Sequence, residues 1–289
     1  MFARRRHDEI TLWHDAALGE GGVELLVGQC FEHRYRPHFH EEVVIAAFTG
    51  GEQRYSVGRS GGVAGPGNVL IIPAGEVHAG EAAEADGGWS YRAFYPDPGT
   101  LGALAADLFG DRHGGPPHFT RMPLHEDRRL TLRLAALHSI VEKAVDEPLA
   151  RQQAFAAAMA AVLMRYAYRG GAPRLAKVQS AAIRRAIELA HARVGDPGLG
   201  IADLAEAAGL SAYHFMRSFR AMTGVTAHAF VIQLRVTEAR RLLKAGQPAA
   251  EVATAVGFVD QSHLIRRFRA ALGVTPGEYV RESRTRQPA

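Results

Sequence analysis

The sequence predicts an α+β chain of two domains, with a β-rich N-terminal domain backed by a helical pair and an all-α C-terminal domain. Three observations carry this. Short apolar or alternating runs broken by glycine and proline fill residues 23–95, the pattern of closely spaced strands in a sandwich or barrel. From Leu204 onward, a small-residue helix, a glycine turn and a second helix with an aromatic anchor occur twice, 48 to 49 residues apart. Charge is divided unevenly, because Ser180–Ala289 hold 15 Lys and Arg against 9 Asp and Glu while residues 1–179 hold 19 against 21.

A chain of 289 residues, 47% hydrophobic, has the length of about two domains and apolar mass for a core in each. The basic C-terminal part points to a polyanionic partner such as nucleic acid. Cys30 is the single cysteine, so an intramolecular disulfide framework is excluded and a reducing, cytoplasmic setting is expected. The start Met1-Phe2-Ala3-Arg4-Arg5-Arg6 is basic without an apolar run behind it, which does not support a secretory signal. The longest apolar run, Ala154–Met164, is far short of the ~20 residues that span a bilayer. A soluble protein with no membrane partner is expected.

In chain order, Val23–Val27, Val43–Phe48, Val69–Ile72 and Trp89–Tyr95 read as strands of a first domain over residues 1–120. The glycines between Gly50 and Gly67 punctuate turns; they lack a Gly-Lys-Ser/Thr ending and no helix follows them. Trp89 and Tyr91 share one face of their strand and Arg92 takes the other, so at most one of the two sets faces inward. Over residues 121–170, Leu130, Leu134, Leu137, Val141 and Ala144 form a helical stripe within Leu124–Val145. Pro148 breaks it, and Leu149–Tyr168 resumes as an alanine-rich helix. The pair packs on the barrel or joins a second copy into a homodimer, the latter being the expectation. Residues 171–179 read as a linker.

Residues 180–289 contain the repeat. Leu204–Ser211 is answered by Val252–Val259, Phe219-Arg220 by Phe268-Arg269, and Gly224-Val225-Thr226 by Gly273-Val274-Thr275. In the second copy Asp260 caps a helix whose Leu264, Phe268 and Leu272 face a core while Gln261, Ser262, Ile265, Arg266 and Arg269 share another side. In the first copy Ser211 is the cap, Phe215, Phe219 and Met222 face inward, and Tyr213, Met216, Arg217 and Arg220 face outward. A helix over Thr226–Ala245 joins the copies; its ~20 residues span about 30 Å, close to the ~34 Å of one DNA turn. Thr275-Pro276-Gly277-Glu278 opens a last helix as a capping box.

Two patterns in the first domain resemble the cupin barrel: Arg36-Pro37-His38-Phe39-His40-Glu41-Glu42, and the run from Pro66-Gly67 to Pro73-Ala74-Gly75-Glu76-Val77-His78. In metal-binding cupins two histidines and a glutamate of the first motif meet a histidine of the second, and His38, His40 and His78 match by position. The family's glutamate falls where this chain has Val44 and Ile45. Alternation from His40 along an unbroken strand instead turns Glu42 inward, with Val44, Ala46 and Phe48. Three roles fit these residues: holding a divalent metal at an open site, hydrogen-bonding a small polar effector without metal, or satisfying buried backbone groups. The sequence requires no cofactor; a divalent metal is the one it allows.

Residues 180–280 resemble the DNA-binding domain of the AraC/XylS family of bacterial transcription regulators, through the tandem repeat, the run Gly257-Phe258-Val259-Asp260-Gln261-Ser262-His263-Leu264-Ile265-Arg266-Arg267-Phe268-Arg269 and the ending Gly273-Val274-Thr275-Pro276-Gly277-Glu278-Tyr279. The resemblance implies a regulator, most often an activator working with RNA polymerase, that sets two helix-turn-helix units into successive major grooves. Its N-terminal domain binds a small-molecule effector, here through His38, His40, Glu42, His78, Trp89 and Tyr91, and dimerises. Tyr213, Met216 and Arg217 of the first unit and Gln261, Ser262 and Arg266 of the second are the implied base-facing residues, while Arg220 and Arg269 suit phosphates. No catalytic residue is implied. The contrasting reading is a metal-dependent cupin enzyme or metal sensor fused to a DNA-binding domain.

Overall fold

A computed structural model describes residues 7–19, 21–84, 87–109, 117–119, 122–143, 147–168 and 177–285. The chain divides into two units, one of residues 1–34, 40–171 and 281–289 and the other of residues 35–39 and 172–280.

The strands are β1 (Glu9–Asp15), β2 (Val23–Cys30), β3 (Tyr35–His38), β4 (Val44–Gly51), β5 (Gln53–Val57), β6 (Ser60–Ala64), β7 (Asn68–Ile72), β8 (His78–Ala82), β9 (Trp89–Tyr95), β10 (His118–Phe119), β11 (Leu124–Glu126) and β12 (Ala167–Tyr168), all but β3 within the first unit. They form a six-stranded sheet β1-β2-β9-β4-β7-β11, a four-stranded sheet β3-β8-β5-β6 and the short pair β10-β12. Period-two alternation assigns the faces. On β9, Phe94 packs against Phe155 with ring centroids 6.1 Å apart, and Arg92 donates to Glu142. Trp89 and Tyr91, which alternate with these, are buried on the opposite face. Arg92 therefore lies outside the barrel.

Helices α1 (Pro98–Phe109), α2 (Arg128–Lys143) and α3 (Pro148–Tyr166) accompany the sheets. The core holds Trp13, Leu25, Ile45 and Phe94 from the large sheet with Leu134, Phe155 and Met159 from α2 and α3. Helix α2 starts four residues later than the apolar stripe predicts, because Leu124–Glu126 pair with β7 as a strand. Asp127 then caps it: Oδ1 accepts from the Leu130 amide at 2.9 Å, while Oδ2 accepts from Arg165 Nε at 2.7 Å and Tyr166 Oη at 3.1 Å. Helix α3 stops at Tyr166, and Ala167–Tyr168 pair with β10 instead of extending it. Leu130, Leu134 and Val141 are buried as the stripe requires; Ala144 and the linker up to residue 176 lie outside the described residues.

The second unit is helical: α4 (Lys177–Ala192), α5 (Ile201–Ala208), α6 (Ala212–Thr223), α7 (Ala227–Lys244), α8 (Ala249–Ala255), α9 (Gln261–Leu272) and α10 (Pro276–Thr285). The joining helix α7 has 18 residues, about 27 Å. The glycine turns have positive φ, +67° at Gly209 and +79° at Gly257, a conformation that costs glycine little. Phe219 meets Phe230 edge-on at 5.3 Å, and Phe268 meets Tyr279 in the same way at 5.7 Å. Each helix-turn-helix is thus anchored on an aromatic eleven residues downstream. Met222 departs from expectation. It is 40% exposed, and Phe215 and Phe219 alone are buried on that stripe; position 222 lies on the same side as Phe215 but falls in the last turn of α6, one residue before its end at Thr223.

The two halves of this unit are keyed together. Arg235 of α7 donates to the carbonyls of Val194 (3.2 Å) and Asp196 (2.8 Å) after α4, and its guanidinium fills the space a Cβ at Gly257 would need. A Cβ at Gly195 would lie 2.5 Å from the Ala255 carbonyl oxygen, so the loop after α4 rests on the end of α8.

Candidate functional site

Helix α9 has two faces. Leu264, Phe268 and Leu272 are buried, and Gln261, Ser262, Arg266 and Arg269 are exposed. Asp260 opens it, its Oδ1 accepting from the His263 amide at 2.6 Å, which satisfies one of the otherwise unpaired N–H groups of the first turn. His263 is half-buried, edge-on to Phe258 at 5.0 Å, and its Nε2 accepts from Arg267 Nε at 3.2 Å. Burial first, then the Arg267 and Arg266 charges, hold its pKa below the ordinary imidazole value. The ring is neutral at pH 7 and can accept that bond.

Helix α6 is built alike. Ser211 Oγ accepts from the His214 amide at 3.4 Å, a long cap, and Met216, Arg217 and Arg220 are exposed. The side chain of Tyr213 is outside the described residues. Val259, just before the Asp260 cap, is 88% exposed, a large apolar group in solvent at the front of α9 that sequence patterning did not single out.

His38, His40 and His78 are all buried, and in the first unit a ring nitrogen of His40 lies within 4.8 Å of one of His78. His40 and His78 have ring centroids 5.0 Å apart, and Tyr95 meets His40 edge-on at 5.4 Å. Glu42 is not part of this group among the described residues. The reason is local: β3 ends at His38 and β4 begins at Val44, so strand alternation does not carry from His40 to Glu42. Trp89 and Tyr91 are buried on the inner face of β9, where Tyr91 fills the notch left by Gly28. Outside the barrel, His138 donates from Nε2 to the Ala93 carbonyl (3.2 Å) and accepts at Nδ1 from Arg92 (3.2 Å). This network sets α2 on β9. An open cleft of about 920 Å³ lies at the far end of the large sheet, lined by Glu9, Gln29, Glu52, Glu84, Trp89 and Ser90.

The family model for the AraC-like ligand binding domain matches residues 21–160, and that for a helix-turn-helix domain matches 204–282. The chain belongs to the AraC family. As an AraC-family regulator it carries a ligand-binding domain followed by a helix-turn-helix DNA-binding domain. It is 24% identical over 235 residues to the HTH-type transcriptional regulator YbfI of Bacillus subtilis, covering 80% of this chain and 82% of that one. Similarity to MtrA of Neisseria gonorrhoeae is confined to a segment, 36% identity over 77 residues and 26% of either chain. A crystal structure of apo ToxT from Vibrio cholerae shares the fold over 89% of this chain and 97% of its own, with a TM-score of 0.54 at 13% identity. No helix among the described residues of this AraC-family chain is long and apolar enough to cross a membrane.

Proposed function

We propose that this AraC-family chain is an effector-responsive regulator, acting as an activator, that reads promoter DNA through α6 and α9 in successive major grooves. The observation that carries the reading is the twice-built helix with a buried aromatic stripe and an exposed polar face, the second of which presents Gln261, Ser262 and Arg266 together. Arginine forks onto guanine O6 and N7, and glutamine onto adenine N6 and N7. Met216, Tyr213 and Val259 suit thymine methyls. The second unit therefore reads by hydrogen bonds, whereas in the first Arg217 alone of the proposed base-facing residues carries a charge. Arg220 and Arg269 hold phosphates and set register.

The effector is held within the barrel by His38, His40, His78, Trp89 and Tyr91, and its binding biases how the DNA-reading units are presented; it must bind the two states differently to do so. Exposed Leu132 and Ile140 on α2 and Leu149 and Met164 on α3 support homodimerisation through the helical pair, and RNA polymerase is the partner of the activating step. The test is a genome-wide map of bound sites followed by anisotropy titration on a mapped operator. Arg266→Ala is expected to weaken specific binding by ~1–3 kcal/mol and to relax preference at one base pair. Unchanged affinity and unchanged preference would remove Arg266 from the reading set.

A further inference from the structure

Arg267 is the one arginine of α9 that neither the core nor the exposed reading face accounts for. It lies one turn after His263, on the flank between the buried Leu264 and Phe268 and the exposed Ser262 and Arg266. The side chain is exposed, and its Nε donates to His263 Nε2 at 3.2 Å. A guanidinium has five N–H donors, so the four on its two terminal nitrogens remain. Among the described residues they meet no carboxylate or carbonyl. His263 is itself held in place, its ring edge-on to Phe258 and its amide donating to Asp260. The charges that face the ring are Arg267, Arg266 and Asp260 from α9 and its cap, and Arg235 from α7. Burial and the arginines favour the neutral ring, the form that accepts at Nε2. The helix does not need this arginine in order to form. Helix α6, built alike, carries His214 and Ser218 at the corresponding places, so the histidine recurs in the repeat and the arginine does not.

We infer that His263 positions Arg267 as a clamp on a DNA backbone phosphate, a contact that belongs to the second helix-turn-helix alone. The inference rests on the reading that α9 enters a major groove. A helix with its side chains is about 10–12 Å across and the groove about 12 Å wide, so the flanks of a helix lying there run beside the phosphate strands. Guanidinium and phosphate pair through two parallel N–H···O bonds, which the two terminal nitrogens can supply while Nε stays on the imidazole. Phosphates carry no sequence information, so this contact adds affinity and register without base preference. The ring contributes order: an arginine already held before DNA arrives loses less freedom on binding.

The test is an anisotropy titration of the full chain at neutral pH over a salt series, on a mapped operator and on a duplex of scrambled sequence. Arg267→Ala is expected to weaken both about equally, roughly tenfold, and to reduce the slope of log K against log salt by about 0.9. His263→Leu keeps the slope, because the charge remains, and weakens binding about threefold. His263→Gln, whose amide oxygen accepts in place of Nε2, recovers most of that loss. In the Arg267→Ala background His263→Leu costs nothing further, whereas an equal cost in both backgrounds overturns the positioning role. Arg267→Ala with unchanged affinity and slope overturns the inference, as does a loss confined to the operator, which would make Arg267 a base-reading residue. Thermal melts report whether each variant is folded, and the exposed Arg267→Ala decides the matter should His263→Leu not fold. Arg266→Ala and Arg269→Ala in the same series separate the two readings. If they weaken binding and Arg267→Ala does not, α9 still reads DNA and the inference alone is lost; if none of the three does, the placement of α9 in a groove is lost with it.

Discussion

His263 shows how much a single side chain on α9 is asked to do. Its Nε2 accepts from Arg267 and its ring packs on Phe258, so it must stay neutral among three arginines of its own helix. With its pKa held below the ordinary ~6.5, both folded and unfolded chains leave it neutral above that pH. As pH falls below ~6.5 the unfolded chain takes up the proton first, so stability declines until the lowered folded pKa is reached. Denaturant melts at pH 7.5 and 5.5 are expected to show this loss, and His263→Gln to remove its share of the slope; an identical slope in the variant would mean that other groups account for it. At this scale the sequence was informative about caps and core. Asp260, Ser211 and the reciprocal bonds of Thr275 and Glu278, at 2.7 and 3.2 Å, are all present. It was uninformative about Glu42, because a five-residue break between β3 and β4 resets the alternation.

At the scale of elements, periodicity located the long helices and missed the short or compositionally masked ones. Helix α1 has a clear start signal, with Asp97 accepting from the Thr100 amide at 2.9 Å ahead of Pro98, yet its glycines and alanines make no stripe. Strand β1, at the edge of the large sheet, shows no period-two alternation because Leu12, Trp13, His14 and Asp15 are all buried. Helix α4 precedes the repeat and has no counterpart in it. What no one-dimensional pattern contains is how the elements are locked, and Gly195 is the plainest case. With 2.5 Å between its notional Cβ and the Ala255 carbonyl oxygen, Gly195→Val is expected to cost ~1–3 kcal/mol through overpacking, lowering Tm by several degrees. A Tm equal to that of the wild type would show that the loop after α4 can lift off α8 freely.

For the molecule as a whole, charge partition and the repeat sufficed to assign a sensor half and a DNA-reading half, since both are properties of long stretches that survive local misreading. The keying of the second unit, by contrast, has a consequence for the operator rather than for the protein. Arg235, bonded to the loop after α4 and wedged at Gly257, and Gly195, seated on α8, lock α4, α7 and α8 into one frame, which carries α6 and α9. If both helices read DNA as proposed, such a frame is a ruler, and DNA must conform to its graduation. One base pair inserted between the two contacted segments turns the second by about 35° and moves it ~3.4 Å, and is expected to cost at least ~10-fold in affinity. A full helical turn of inserted DNA restores the angle but not the distance, so binding stays weak. Recovery at that spacing would mean that the two reading helices are tethered loosely enough to stretch, and that the promoter rather than the protein keeps the measure.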